Sequence, residues 1–146
     1  MRAVGVRSVA LSDDVFTEHF PGNPVLPGVY LVEGLAQAAG LLLWESSNHT
    51  RIAVMVSIDR ARFTSFARPG DSVRLAVEID SYNEKVARVR GVATVDERQV
   101  AAVALTFSVQ EPESVIAPIF LPFYAQAADV WLGRYPGSTD TSATHD

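Results

Sequence analysis

The chain has 146 residues, of which 48% are hydrophobic and 20% are charged, and its formal net charge is -5. This length supports one sizeable hydrophobic core and excludes two full domains. The absence of cysteine excludes disulfides, thiolate zinc sites and a cysteine nucleophile. The charge excludes a strongly basic nucleic-acid-binding protein, and the composition excludes an acidic disordered chain.

The N-terminal residues MRAVGVRSVALSDD lack the long apolar stretch of a signal peptide. The most apolar run, Val29 to Trp44, is shorter than the roughly 20 residues that span a bilayer and contains Glu33 and Gln37. We therefore expect a cytoplasmic protein that contacts neither membrane nor nucleic acid.

The first part of the chain predicts a strand followed by a rigid loop. Residues 2–10 alternate loosely between apolar and other residues, as in a short strand. From Phe20 to Gly28 there are three prolines and two glycines, so His19 to Gly28 is expected to be a loop with a fixed backbone path.

The run from Val29 to Trp44 is apolar on every side except at Glu33 and Gln37, which is typical of a helix that the rest of the protein surrounds. Glu33 and Gln37 are four residues apart and therefore share a helix face. Gly34 and Gly40 are unfavourable in a helix and indicate that a neighbouring backbone comes close.

Beyond the helix, four apolar segments separated by turn residues predict strands. They are residues 51–58, 71–81, 86–95 and 100–110. The last three predict an antiparallel meander, and the whole predicts an α+β fold in which a curved antiparallel sheet wraps around one central apolar helix. We assign residues 1–112 to this domain and 113–146 to a C-terminal extension. In the extension, Ile119 to Tyr135 is expected to dock, and a disordered tail is expected from about residue 136.

Four polar or special positions near the helix suit the elimination of water from a 3-hydroxyacyl thioester. His19 is the candidate base, because imidazole titrates near neutral pH. Glu33 is the candidate acid, because a carboxyl group on an apolar helix is expected to be desolvated, which raises its pKa. The Gly28 amide precedes the helix and suits a partly anionic oxygen. Gln37 is placed to orient the Glu33 carboxyl group.

Each of these residues also has a structural interpretation. A loop histidine is often structural, a buried glutamate is often bonded to backbone, and Gly28 suits a turn before a helix. Glu45 and His49 are interpreted as a solvated pair and not as a metal site. Three arginines, Arg60, Arg62 and Arg68, form either a solvated face or a docking site for an acidic carrier.

The segments HFPGNPVLPGVYLVEGLAQAAG and IDRARFTSFARPGD resemble the β-hydroxyacyl-ACP dehydratase family, and the similarity runs from about Arg2 to Gln110. The resemblance implies a dimeric hot-dog fold with His19 as base, Glu33 as acid and Gly28 as carbonyl-binding amide, while the family's helix glutamine falls on Gln37. It also implies a tunnel between two protomers, no dissociable cofactor, and a substrate held on the phosphopantetheine arm of an acyl carrier protein.

Other interpretations stay open at this stage. A hot-dog thioesterase would use Glu33 to activate water, and a non-catalytic subunit would shape the tunnel of another hot-dog protein. Family members usually have a helix and a strand ahead of the position of Met1. Either Ile119 to Tyr135 or a second, non-identical hot-dog subunit is expected to take that place, so both a homodimer and a heterodimer are considered. The chain length of the acyl group and a fatty acid or polyketide pathway also stay open.

Overall fold

The computed structural model describes residues 1–134, which fall into two units, Met1–Glu111 and a second that begins at Pro112. The first unit contains β1 (Arg2–Ser8), a 3-10 turn (Asp14–Thr17), α1 (Gly28–Ser46), β2 (Ile52–Phe63), β3 (Ser72–Tyr82), β4 (Val86–Val95) and β5 (Arg98–Gln110). The second contains α2 (Pro112–Val115), a 3-10 turn (Pro118–Phe120) and α3 (Leu121–Trp131). The tail expected from about residue 136 lies outside the described residues.

The five strands form one antiparallel sheet in the order β1-β3-β4-β5-β2. The predicted meander of β3, β4 and β5 is confirmed. Asp96 and Glu97 link β4 to β5 with φ values of 46° and 66°, the left-handed conformation that tight hairpin turns require. In the β3–β4 turn, Asn83 Oδ1 accepts hydrogen bonds from the Lys85 and Val86 amides, both at 2.9 Å.

Strand β2 extends further than its predicted end at Ile58. Its pairing with β5 shifts register between Met55 and Ser57 and again between Ile58 and Arg60. These bulges interrupt the alternation of apolar and polar residues, so the pattern that identifies a strand is lost before the strand ends. Beyond the second bulge β2 pairs regularly with β5 as far as Phe63.

Helix α1 packs one side against the sheet, where Leu35 and Leu43 meet Val73, Val89 and Leu105, all fully buried. A methyl group added at Gly34 would lie 2.9 Å from the Leu75 side chain, whereas one added at Gly40 would meet nothing within 4 Å. The expected approach of a backbone is therefore wrong. A leucine side chain occupies the space at Gly34.

The expectation that α1 is surrounded on all sides is wrong for this single chain. One side of the helix stays exposed, with Val29 at 64% and Tyr30 at 39%, and the Glu33 and Gln37 side chains emerge on that same side. We call the surface formed by Val29, Tyr30, Glu33 and Gln37 the open face. The sheet covers only one side of the helix, so the other side is left to solvent.

Strand β2 adds two exposed apolar side chains on the side of the sheet that faces α1. Ile58 pairs with Leu105 and Phe63 pairs with Ala101, and both partners are buried. Paired residues project from the same side of a sheet, so Ile58 and Phe63 point toward the helix side, yet they are 49% and 48% exposed. No helix within residues 1–134 is both long and apolar enough to span a membrane.

Candidate active site

His19 lies at the start of the proline-rich loop, half-buried, with its ring stacked on that of Phe20 at a centroid distance of 4.1 Å. Its Nδ1 is 2.8 Å from the Val25 carbonyl oxygen. Because a carbonyl oxygen can only accept a hydrogen bond, we assign the neutral-ring proton to Nδ1. That assignment leaves the Nε2 lone pair free to accept a proton.

Gly28 is the first residue of α1, after Pro27 at the N-cap position. Among the described residues no group accepts a hydrogen bond from its N–H, so the amide is an unpaired donor at a helix N-terminus. A methyl group added here would lie 2.7 to 3.0 Å from ring atoms of Phe63. The space beside this glycine is therefore filled by an aromatic ring, a contact that the sequence did not indicate.

Glu33 and Gln37 are one helical turn apart, and Gln37 Nε2 donates to Glu33 Oε1 at 3.0 Å. This bond fixes one carboxyl oxygen and leaves the other available. Both side chains are exposed, so the expected desolvation of Glu33 is wrong for the isolated chain. The physical reason is the open face, which no residue of Met1–Glu111 covers.

The three arginines singled out in the sequence do not lie together. Arg60 and Arg62 line a groove of about 730 Å³ with Arg2, Arg74 and Arg90. The alanines that pair with Arg60 and Arg62 alternate along β5 with buried residues that face α1. The groove therefore lies on the side of the sheet away from the helix, and its floor consists of small residues, namely Ala76, Val92, Ala102 and Ala104.

Arg68 does not line this groove. Its Nη1 donates to Asn23 Oδ1 at 2.7 Å and to the Pro24 carbonyl oxygen at 3.3 Å. Arg68 is thus attached to the loop that holds His19. Sequence reasoning missed Asn23 and Val25, although both lie inside the quoted motif, because Val25 acts through its carbonyl group and leaves no side-chain signal.

Two other groups of polar side chains lie outside this cluster. His49 Nε2 is 2.7 Å from Glu45 Oε1 at the end of α1, and within residues 1–134 no three metal-ligating side chains come together. At the second bulge of β2, Asp59 accepts hydrogen bonds from Ser57 at 2.7 Å and from Thr106 at 2.5 Å. These bonds hold the pKa of Asp59 below its usual value.

Comparison with known proteins finds relatives among 3-hydroxyacyl-[acyl-carrier-protein] dehydratases. The FabA-like domain matches residues 2–104. The 3-hydroxyacyl-[acyl-carrier-protein] dehydratase FabZ of Bacillus pumilus (strain SAFR-032) is 42% identical over 109 residues, which cover 74% of this chain and 76% of the relative. That of Bacillus subtilis (strain 168) is 41% identical over 111 residues, covering 75% and 79%.

Solved structures share the fold at low sequence identity. The fluoroacetyl-CoA thioesterase FlK has a TM-score of 0.66 at 15% identity, covering 93% of this chain and 96% of that one. A hot-dog-like protein from Thermanaerovibrio acidaminovorans has a TM-score of 0.66 at 18% identity, covering 94% and 93%. The dehydratase heterocomplex ApeI:P from Xenorhabdus doucetiae matches with a TM-score of 0.60 at 20% identity, covering 73% and 87%. These likenesses confirm the hot-dog fold.

Proposed function

This chain belongs to the FabA-like family, and we propose that His19, Gly28 and Glu33 enable it to dehydrate 3-hydroxyacyl thioesters carried on acyl carrier protein. The products are a 2-enoyl thioester and water. The observation that carries this assignment is the bond between His19 Nδ1 and the Val25 carbonyl oxygen, which directs the basic Nε2 away from the loop. The relatives named above act on this class of substrate.

His19 begins the reaction as the general base. Its Nε2 removes a proton from C2 of the substrate, and the ring becomes an imidazolium that still donates from Nδ1 to the Val25 carbonyl oxygen. The electron pair released from C2 spreads onto the thioester oxygen. The unpaired Gly28 N–H at the start of α1 donates to that oxygen, where the helix dipole also favours negative charge.

Glu33 completes the elimination as the general acid. The carboxyl oxygen that does not bond Gln37 gives its proton to the C3 hydroxyl group as the C3–O bond breaks. Water leaves and the C2–C3 double bond forms. The proton taken by His19 must then return to Glu33 before the next cycle.

The open face supports a site shared between two chains. Glu33 is exposed here beside the apolar Val29 and Tyr30, and an exposed apolar surface of this kind is typical of a site that a partner covers. A second hot-dog chain laid over the open face, Ile58 and Phe63 would bury the carboxyl group. We propose that a second copy of this chain covers the surface and supplies its own His19 loop there.

Mixing two inactive variants tests the shared site. In a dimer of one His19→Ala chain and one Glu33→Gln chain, a shared arrangement puts both substitutions into one site and leaves the other intact. With random reassociation, turnover should recover to about a quarter of wild type, by symmetry counting. No recovery after verified exchange of subunits would refute the arrangement, and recovery only with a different hot-dog protein would indicate a heterodimer.

The groove lined by Arg60 and Arg62 is the proposed docking surface for the acidic carrier protein. Neither arginine has a carboxylate partner within the described residues, so both guanidinium groups are available to carboxylates of a partner. Arg62 and Phe63 are adjacent on the edge strand β2 and point to opposite sides of it. Phe63 packs beside Gly28. A carrier bound to Arg62 would therefore lie on the opposite side of β2 from the Gly28 amide.

Mass spectrometry of a 3-hydroxyacyl carrier protein incubated with the pure chain tests the reaction. Loss of one water from the acyl group is the expected result, and release of the free carrier thiol would instead indicate a thioesterase. Substrates of increasing length, with and without further double bonds, would separate a fatty acid pathway from polyketide or polyene assembly. A cytoplasmic location stays a prediction.

A further inference from the structure

We propose that Arg68 is a positioning residue for the His19 base, acting through Asn23 and the Pro24 carbonyl oxygen on the loop that holds the imidazole. The inference rests on the proposed role of His19. It assigns to Arg68 a function different from the carrier docking expected from the sequence. Four features carry it, namely the way the loop is closed, the way Ala67 and Arg68 hold it, the way the turn that carries Arg68 is fixed, and the exposure of these bonds.

The loop is closed by its own backbone. Phe20 N donates to the Asn23 carbonyl oxygen at 3.3 Å, and Asn23 N donates to the Phe20 carbonyl oxygen at 2.9 Å. Val25 N donates to the His19 carbonyl oxygen at 3.0 Å, while the Val25 carbonyl oxygen accepts from the imidazole. The position of the ring therefore depends on where the peptide units around Pro24 and Val25 are held.

Arg68 holds one of those peptide units directly. Its Nη1 donates to the Pro24 carbonyl oxygen, which immediately precedes Val25, and to the side chain of Asn23. The next attachment along the loop is a backbone bond of 2.8 Å from Leu26 N to the Ala67 carbonyl oxygen. Two neighbouring residues of one turn, Ala67 and Arg68, thus fasten both sides of Val25.

The turn that carries Arg68 is itself fixed. The Arg68 amide donates to Asp71 Oδ2 at 2.8 Å, and the Asp71 amide donates back to the Arg68 carbonyl oxygen at 3.0 Å. The Arg68 guanidinium also lies 5.8 Å from the centroid of the Phe66 ring, a contact that limits its rotamers. A side chain supported in this way can hold the loop in one position.

Exposed bonds of this kind contribute little to global stability, but a displacement of the base by about 1 Å can cost about a hundredfold in rate. Arg68→Gln should therefore lower kcat by about tenfold, with the KM for the acyl carrier substrate within about twofold and the melting temperature unchanged. Arg68→Lys, which keeps the charge, should recover part of kcat because one ammonium donor can still reach Asn23.

Arg98→Gln is the matched control. Arg98 is also exposed and also donates to a carbonyl oxygen, that of Phe66 at 3.3 Å, and to Ser65 Oγ, but it makes no bond to the His19 loop. The Arg98→Gln substitution removes the same charge as Arg68→Gln and should leave kcat unchanged. If Arg68 acts through Asn23, then Asn23→Ala combined with Arg68→Gln should be no slower than the worse single variant. Unchanged kcat in Arg68→Gln, or fully additive losses, would overturn the proposal.

A second measurement separates this proposal from the function of the site. The proton on His19 Nδ1 is expected to give a protected imidazole signal in the NMR spectrum of wild type, assigned by its absence in His19→Ala. Arg68→Gln should shift that signal and speed its exchange with water, whereas Arg98→Gln should not. A wild-type protein without dehydratase activity would overturn the proposed function and leave this test standing. An unmoved signal in Arg68→Gln would overturn the attachment itself.

Discussion

Both sides of α1 carry apolar residues, but their surroundings differ. The side against the sheet is buried, whereas the open face leaves Val29 at 64% exposure beside Glu33 and Gln37. Exposed apolar side chains on the open face are typical of a surface that another chain covers, whereas within Met1–Glu111 only the sheet side of α1 is buried. Glu33 and Gln37, the polar pair of the proposed site, lie on the open face. The uncovered surface and the proposed acid are therefore in the same place.

The strongest test of this coincidence removes the two proposed catalytic groups. Glu33→Gln and His19→Ala should each lower turnover by about a hundredfold or more, because each removes a proton-transfer group. Melting temperatures should stay near wild type. Glu45→Gln is the control, because it changes a glutamate on the same helix that is not part of the open face. Its turnover should stay at the wild-type level. Turnover close to wild type in either His19→Ala or Glu33→Gln would remove the assigned roles.

A charge placed on the open face should separate the two chains. Val29→Glu puts a carboxylate into the surface that a partner is proposed to bury, so the dimer dissociation constant should rise about a hundredfold or more. Val6, on β1, is 69% exposed and gives a control of similar exposure, so Val6→Glu should leave the dimer intact. Sedimentation at several concentrations measures the dissociation constants of both variants. Equal effects of the two substitutions would contradict the proposal that the open face is the dimer surface.

The contact between Gly28 and Phe63 tests how the proposed site is held within the chain. Gly28→Ala should destabilise the protein by about 1–3 kcal/mol, because the added methyl group would overlap the Phe63 ring. In a Phe63→Leu background the same substitution should cost clearly less, since the smaller side chain makes room. Chemical denaturation of the four proteins gives the comparison, and an equal cost in both backgrounds would show that the ring is not the obstacle.

The smallest effect is expected at Asp59, where β2 passes its second bulge. Its pKa is lowered in the folded chain by bonds from Ser57 and Thr106, so its contribution to stability is present above the unfolded pKa and is lost as pH falls through the folded pKa. Thr106→Val should lower the melting temperature slightly near pH 7, and the difference from wild type should shrink below about pH 4.

Thr64→Val provides the control for that pH dependence. Thr64 Oγ1 donates to the Gln99 carbonyl oxygen at 2.8 Å, a group that does not titrate. Its loss should lower stability equally at both pH values. If the melting-temperature difference between Thr106→Val and wild type is also constant with pH, then the bond from Thr106 does not lower the pKa of Asp59.

The sequence predicted the elements whose pattern is local and repeated. The helix, the meander and the turn at Asp96 follow from apolar runs and turn residues. The exposure of Glu33 did not follow from the sequence. An apolar helix pattern predicts that the helix is covered, but it does not identify the element or chain that covers it. The extent of β2 was missed for a different reason, since two bulges break the alternation that identifies a strand.

The proposed site divides in the same manner. His19, Gly28, Glu33 and Gln37 could be named from residue type and spacing, and the bond between Gln37 and Glu33 is present in the structure. The Val25 carbonyl group could not be named, since every residue has one. The separation of Arg68 from Arg60 and Arg62 depends on the path of the turn after β2, which residue spacing alone does not specify.

The arginine groove gives this acidic protein an uneven distribution of surface charge. If an acidic carrier docks as proposed, the net charge of -5 would repel it at long range, whereas Arg60 and Arg62 would attract it toward their side of the sheet. Added salt first screens the repulsion between distant charges, beyond about 10 Å at 0.1 M, and weakens close ion pairs later. Under that proposal the rate of encounter should rise and then fall with ionic strength, and the groove would select the orientation of the carrier as well as contribute affinity.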